Sequence, residues 1–105
     1  MSHVLTAGDL GTTLGEVATV VQFSSTFCRP CRATRLVVER ALEGRPGVRH
    51  VDLDVADHTT LGERLAVDVT PTVLVLDPAG RVLGRATGVP SLAQVRAALD
   101  AAAAS

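Results

Sequence analysis

The sequence predicts an α/β fold: a three-layer sandwich in which a central mixed sheet of four to five strands carries helices on both faces. Three observations carry that prediction. An apolar strand, a helix and an alternating strand succeed one another between positions 18 and 55, as in a right-handed βαβ unit with parallel strands. The turn sequence Asp77-Pro78-Ala79-Gly80 joins two more extended stretches into an antiparallel pair. A capped amphipathic helix closes the chain.

Taken in order, Val4–Thr6 offers a short edge strand, and a helix of unassigned bounds follows it. Ala18–Phe23 (ATVVQF) is apolar and β-branched and reads as a buried strand. Residues 28–43 change to helical spacing, with Ala33, Leu36, Val37 and Ala41 on one side and Arg32, Arg35, Glu39 and Glu43 on the other. Gly44, Pro46 and Gly47 end that helix. Val48–Val55 alternates: Val51, Leu53 and Val55 point one way, His50, Asp52 and Asp54 the other. Asp57 or Thr59 is expected to cap a short helix carrying Leu61 and Leu65. Val73–Leu76 is a strand, and Arg81–Ala86 returns antiparallel after the turn. Ser91 and Gln94 form a capping box for a last helix buried through Leu92, Val95 and Leu99, with the alanine tail fraying off its end.

The 105 residues suffice for one domain, 1–105, and 47% of them are apolar, enough for a packed interior. A net charge of −1 supplies no basic sheath for nucleic acid. Phe23 and Phe27 are the only aromatic residues, so no base-stacking platform exists. All ten basic residues are arginine, a bias from which no function is drawn. The N-terminal MSHVLTAGDLG shows neither the basic nor the apolar region of a signal peptide, and Val73–Leu76 is far too short to cross a bilayer. The expectation is a cytoplasmic protein without a membrane partner. A monomer is expected because one sheet can cover the apolar stripes of the helices.

Cys28 and Cys31 are the only cysteines, and three readings of them compete. A disulfide staple closing so short a loop stabilises by only about 2 kcal/mol, little use to a chain with this much apolar core. A zinc clip needs four ligands, and His3, His50 and His58 show no paired spacing with the two thiols, so no metal is expected. A redox centre fits the local physics. Cys28 follows a strand and opens a helix, where unpaired N–H groups and the positive dipole end favour thiolate. Arg29 and Arg32 add positive charge, and Pro30 fits a first helical turn, where its missing N–H costs nothing. Cys31, one turn further in, is expected to be more buried. Cys28 is then the attacking sulfur and Cys31 the resolving one.

With FCRPC followed forty residues later by TPT, the chain resembles the thioredoxin family, and the likeness runs from about Val4 to Leu99. It rests on the strand VVQF, the motif Cys28-Arg29-Pro30-Cys31, the segment HVDLD, the VTPT turn, the DPAG hairpin and Gly88. The resemblance implies a thioredoxin fold and a cis Pro71 lying against the cysteine pair and keeping metals off the thiols. It also implies a Thr70 backbone that offers a β-like edge to the substrate chain. The implied activity is reduction of protein disulfides through a redox-active Cys28–Cys31 disulfide. No bound cofactor is implied, and an external flavin- and NADPH-dependent, thioredoxin-reductase-like flavoprotein would recharge the pair.

Departures from the family pattern bear on mechanism. Phe27 stands where tryptophan is usual, Arg29 where glycine is, Leu36 where a helix-kinking proline is, and Thr70 where an aliphatic residue precedes the cis-proline. Gln22 occupies the place of a buried aspartate thought to move the proton of the resolving thiol, and His50 that of a lysine. An amide does not titrate near neutrality, so Gln22 is either a satisfied strand residue or leaves the relay to His50, whose imidazole does titrate there. Arg29 favours a more oxidising centre and Pro30 a reductant; the two pull in opposite directions. Phe27 either shapes the docking surface or fills core, Thr70 either bonds near the thiols or suits extended backbone, and Arg35 reads as a solvated face. Two other functions stay open: a glutathione-dependent, glutaredoxin-like reductase, and a redox-sensitive binding module that turns over poorly.

Overall fold

The computed structural model describes residues 3–105. In chain order its elements are α1 (Ala7–Leu10), β1 (Ala18–Ser24), α2 (Arg29–Leu42), β2 (Val48–Asp54), a 3-10 turn (Val55–Asp57), α3 (Thr59–Arg64), β3 (Thr72–Leu76), β4 (Val82–Thr87) and α4 (Leu92–Ala103). The sheet order is β2-β1-β3-β4, with β1 and β2 parallel and both β1–β3 and β3–β4 antiparallel. This is the mixed sheet that the βαβ pattern and the turn predict. The turn closes through Gly80 N–H donating to the Asp77 carbonyl at 2.9 Å, while the Asp77 carboxylate accepts from Ala79 and Arg81.

The two central strands are buried along their whole length, which is why β1 and β3 read as nearly continuous apolar runs. Their alternate residues feed two cores. Val21, Phe23, Leu74 and Leu76 pack with Leu10 of α1 and with Leu61 and Leu65. Val20, Val73 and Val75 pack on the other face with Val38 and Ala41 of α2 and Val95, Leu99 and Ala102 of α4. Phe23 is wholly buried, and removing a ring of that size from water stabilises by about 2–3 kcal/mol.

Several expectations are corrected. Val4–Thr6 makes a single bridge, Val4 to Arg81, rather than an edge strand, because Thr6 already turns to cap α1 in a capping box with Asp9. The buried stripe of α2 is Cys31, Thr34, Val38 and Ala41, one step round from the stripe that apolarity alone selects, and Leu36 is 68% exposed. Helix phase is set at its start: Cys31 turns inward, and Thr34 follows because its hydroxyl is satisfied by the Pro30 carbonyl at 2.8 Å. Neither Asp57 nor Thr59 caps α3. His58 holds that place without a side-chain bond, while Asp54 caps the preceding 3-10 turn that absorbs Val55. The alanine tail does not fray off: α4 reaches Ala103, and Ala102 is fully buried. No helix among the described residues is long and apolar enough to cross a membrane.

Candidate active site

β1 ends at Ser24 in the middle of the sheet, and the loop Ser25–Phe27 lifts the chain to the start of α2. Cys28 is the N-cap of α2, with extended backbone, and its sulfur takes the part usually played by a serine or aspartate oxygen. The Cys31 N–H donates to Cys28 Sγ across 3.1 Å. That orphan helix N–H, together with the dipole end, favours negative charge on this sulfur. The two cysteines are joined as a disulfide, with Cα atoms 5.2 Å apart. Cys28 is half-buried and Cys31 is completely buried. Arg29 and Arg32 are exposed beside the pair, and neither has a carboxylate partner among the described residues.

Behind Cys31 the even-numbered residues of β1 and β2 share one face, since Gln22 pairs in register with Asp52 and Val20 with His50. Gln22 is fully buried. Its Nε2 donates to the Cys31 carbonyl at 2.9 Å and to Ser24 Oγ at 3.0 Å. A carbonyl only accepts, so the amide orientation is fixed and Oε1 faces His50 Nε2 at 3.2 Å. The imidazole therefore donates through Nε2–H, and Nδ1 is the nitrogen that gains or loses a proton. The Ser24 hydroxyl donates to Asp52 Oδ1 at 2.7 Å, and Asp52 is bound in turn by the Arg35 guanidinium. Burial is the main influence on His50 and lowers its pKa; Asp52 and Glu39 oppose this, and Arg35 adds to it. The path from His50 ends on the Cys31 carbonyl, not on its sulfur.

On the other side, the Thr70–Pro71 peptide is cis and Pro71 is buried. Thr70 shares a 2.8 Å hydrogen bond with Ser25, tying this loop to the one that carries the cysteines. The Gly88 N–H donates to the Pro71 carbonyl at 2.9 Å, with Gly88 at φ +77°. Phe27 is 97% exposed and sits at φ +57°, so it is not core. Along with Cys28, Arg32 and Asp54 it lines an open groove of about 460 Å³. Among the described residues no three of His, Cys, Asp or Glu are grouped to hold a metal ion.

Sequence reasoning singled out Gln22, Phe27 and Cys28 through Cys31 together with His50, Thr70, Pro71 and Gly88, but it missed the residues that join them. Ser24 and Asp52 were accessible in principle, since strand alternation and parallel pairing put them beside Gln22. Arg35, read as a solvated face, holds Asp52. Ser25 carried no signal.

The sequence model of one protein family, Thioredoxin, matches residues 6–101. No curated protein matches the chain. Among solved structures the chain is similar to thioredoxin f from spinach chloroplast, at 28% identity and TM-score 0.70, covering 84% of this chain and 78% of that one. It is also similar to oxidised mitochondrial thioredoxin 3 from Saccharomyces cerevisiae, at 24% identity and TM-score 0.68 over 81% and 79% of the two chains. A mutant thioredoxin from Halobacterium salinarum shares the fold at 18% identity and TM-score 0.72, over 84% and 76%. With the family model spanning nearly the whole sequence and the paired sulfurs at the head of α2, the chain belongs to the thioredoxin family and is a thiol–disulfide oxidoreductase whose redox centre is Cys28–Cys31.

Proposed function

We propose that the chain reduces disulfide bonds in proteins. The observation that supports this best is the contrast in exposure across a single helical turn: Cys31 is sealed, while Cys28 lies half-open at a groove and receives an N–H from Cys31. In the dithiol form the Cys28 thiolate attacks one sulfur of a substrate disulfide. A Cys28–substrate bond forms, the substrate S–S bond breaks, and the first substrate sulfur leaves as a thiolate that takes up a proton. Cys31 then gives up its proton and attacks Cys28 Sγ. The second substrate thiol departs, and two electrons have passed from the cysteine pair to the substrate. The substrate strand lies along Thr70–Pro71, with Phe27, Arg29, Pro30 and Gly88 at its rim. Gln22 steadies Cys31 through its carbonyl, and His50 bonds Gln22 from behind. A flavoprotein that draws on NADPH returns the disulfide to dithiol, and a reducing compartment such as the cytoplasm suits that cycle.

The test is a trap. Cys31→Ser is expected to accumulate a mixed disulfide with protein substrates through Cys28, and Cys28→Ser to accumulate none. The unaltered chain is expected to accelerate insulin reduction by dithiothreitol. Absence of acceleration would leave a redox-sensitive binding module. Turnover sustained by glutathione but not by an NADPH-fed flavoprotein would give the glutaredoxin-like reading instead.

A further inference from the structure

Arg85 stands on the edge strand β4, opposite Leu74 of β3, remote in sequence from both cysteines and from the cis peptide. Its guanidinium does not pair with a carboxylate among the described residues. It reaches across to the end of α3, donating through Nη1 to the Leu65 carbonyl and through Nη2 to the Ala66 carbonyl at 2.7 Å. The Leu65 carbonyl belongs to the C-cap of α3, which a helix end leaves without a partner, Ala66 follows it, and the planar two-pronged donor is suited to holding both at once. The spot needs holding. Ala66 is at φ +52°, a left-handed conformation that costs a non-glycine residue roughly 1–2 kcal/mol. From it the chain runs directly through Val67, Asp68 and Val69 to Thr70 and Pro71. The far end of that segment is also tied down just past the end of β4, by the Gly88 N–H on the Pro71 carbonyl, and it is braced by Thr72 Oγ1 donating to the Val69 carbonyl at 2.7 Å.

We infer that Arg85 is a positioning residue for the substrate ledge: by clamping Leu65 and Ala66 it sets where the Thr70 backbone lies, and so how well an extended protein chain docks beside Cys28. It touches neither sulfur and takes no part in thiol exchange. The inference rests on the protein-disulfide reading above.

Arg85→Met, Arg85→Gln and Arg85→Lys are compared with the unaltered chain on two substrates. Insulin needs the ledge; 5,5′-dithiobis(2-nitrobenzoate), a small disulfide, needs only Cys28. Arg85→Met is expected to raise the KM for insulin about tenfold and leave its kcat and the small-disulfide rate within about twofold. Arg85→Lys, which keeps a donor for one carbonyl, is expected to recover part of the loss, and Arg85→Gln serves if the methionine variant does not fold. Equal losses on both substrates would show general damage to the fold and overturn the inference, as would an unchanged insulin KM. An unaltered chain that exchanges with the small disulfide but leaves insulin intact would overturn the protein-disulfide reading, and this inference with it, before any variant is made.

Discussion

Cys28 and Cys31 stand one helical turn apart, yet the surroundings of the two differ in kind. Behind Cys31 is a polar network, buried at Gln22 and Ser24 and reaching the groove at Asp52 and Arg35, in which His50, Gln22, Ser24, Asp52 and Arg35 each bond to the next and Gln22 bonds the Cys31 carbonyl. No buried side-chain nitrogen or oxygen among the described residues lacks a partner. Around Cys28 is an open rim: Phe27 projects almost wholly into solvent, Arg29 and Arg32 have no carboxylate partner among the described residues, and one hydroxyl bond between Ser25 and Thr70 joins the two loops. The inner side is held by hydrogen bonds centred on the fully buried Gln22, where a lost partner is costly. The outer side is held by backbone conformation at the surface. Changes behind Cys31 are therefore expected to act on stability first, and changes around Cys28 on substrate.

The largest effect is expected from Gln22→Ala. It removes a fully buried side chain and leaves the Cys31 carbonyl, Ser24 and His50 each short of a partner. Cavity and desolvation terms together predict a loss of about 3 kcal/mol in urea unfolding of the oxidised protein. Thr70→Val, which gives up one bond at the rim, is expected to cost about 1 kcal/mol or less. Equal losses would erase the contrast between the two sides.

Phe27 sharpens the contrast from the other direction. At φ +57° a phenylalanine is strained, and at 97% exposure it recovers almost nothing by packing. Phe27→Gly relieves the strain, offset in part by the freer unfolded chain, for a net gain of up to about 1 kcal/mol in stability. The same variant is expected to reduce insulin several-fold more slowly, because the ring at the groove is gone. A variant both more stable and less active would mark Phe27 as kept for the substrate. One that is less stable would place its ring in a packing role that its exposure denies.

The sequence made legible what local pattern controls. Strand burial, the βαβ unit, the Asp77–Gly80 turn and the Ser91–Gln94 capping box are short-range, and each stands where the residues put it. The cysteine pair was legible for the same reason: a strand, a loop and a helix start fix both sulfurs within a few residues. What escaped depends on long-range geometry or on a competing polar bond. The phase of α2 hinges on Thr34, a residue that hydrophobicity ranks below Leu36 but whose hydroxyl bonds one turn back. The Ser25–Thr70 bond joins residues 45 apart, and the Arg85 clamp crosses from β4 to the end of α3; nothing local announces either. The helix α1 was expected without bounds: Thr6 and Asp9 offered a legible cap, but four residues are too few for periodicity to place it.

The smallest expected effect lies where the two sides communicate. Burial, only partly offset by Asp52 and Glu39, makes His50 hold its proton less tightly in the folded chain than in the unfolded one. Protonation therefore favours unfolding. Stability owed to a neutral His50 is fully present above the unfolded imidazole value of about 6.5, and it declines as pH falls from there toward the lowered folded value. His50→Gln keeps a donor for Gln22 Oε1 and removes the titration. The difference in unfolding free energy between this variant and the unaltered chain is thus expected to be constant above that pH and to shift in favour of the variant below it. The same pair of proteins separates the two roles open to this histidine. If the pH profile of disulfide reduction shifts along with stability, charge on the imidazole is felt at Cys31 through Gln22. If stability moves and the reduction profile stays fixed, His50 belongs to the scaffold behind the resolving sulfur and not to its chemistry.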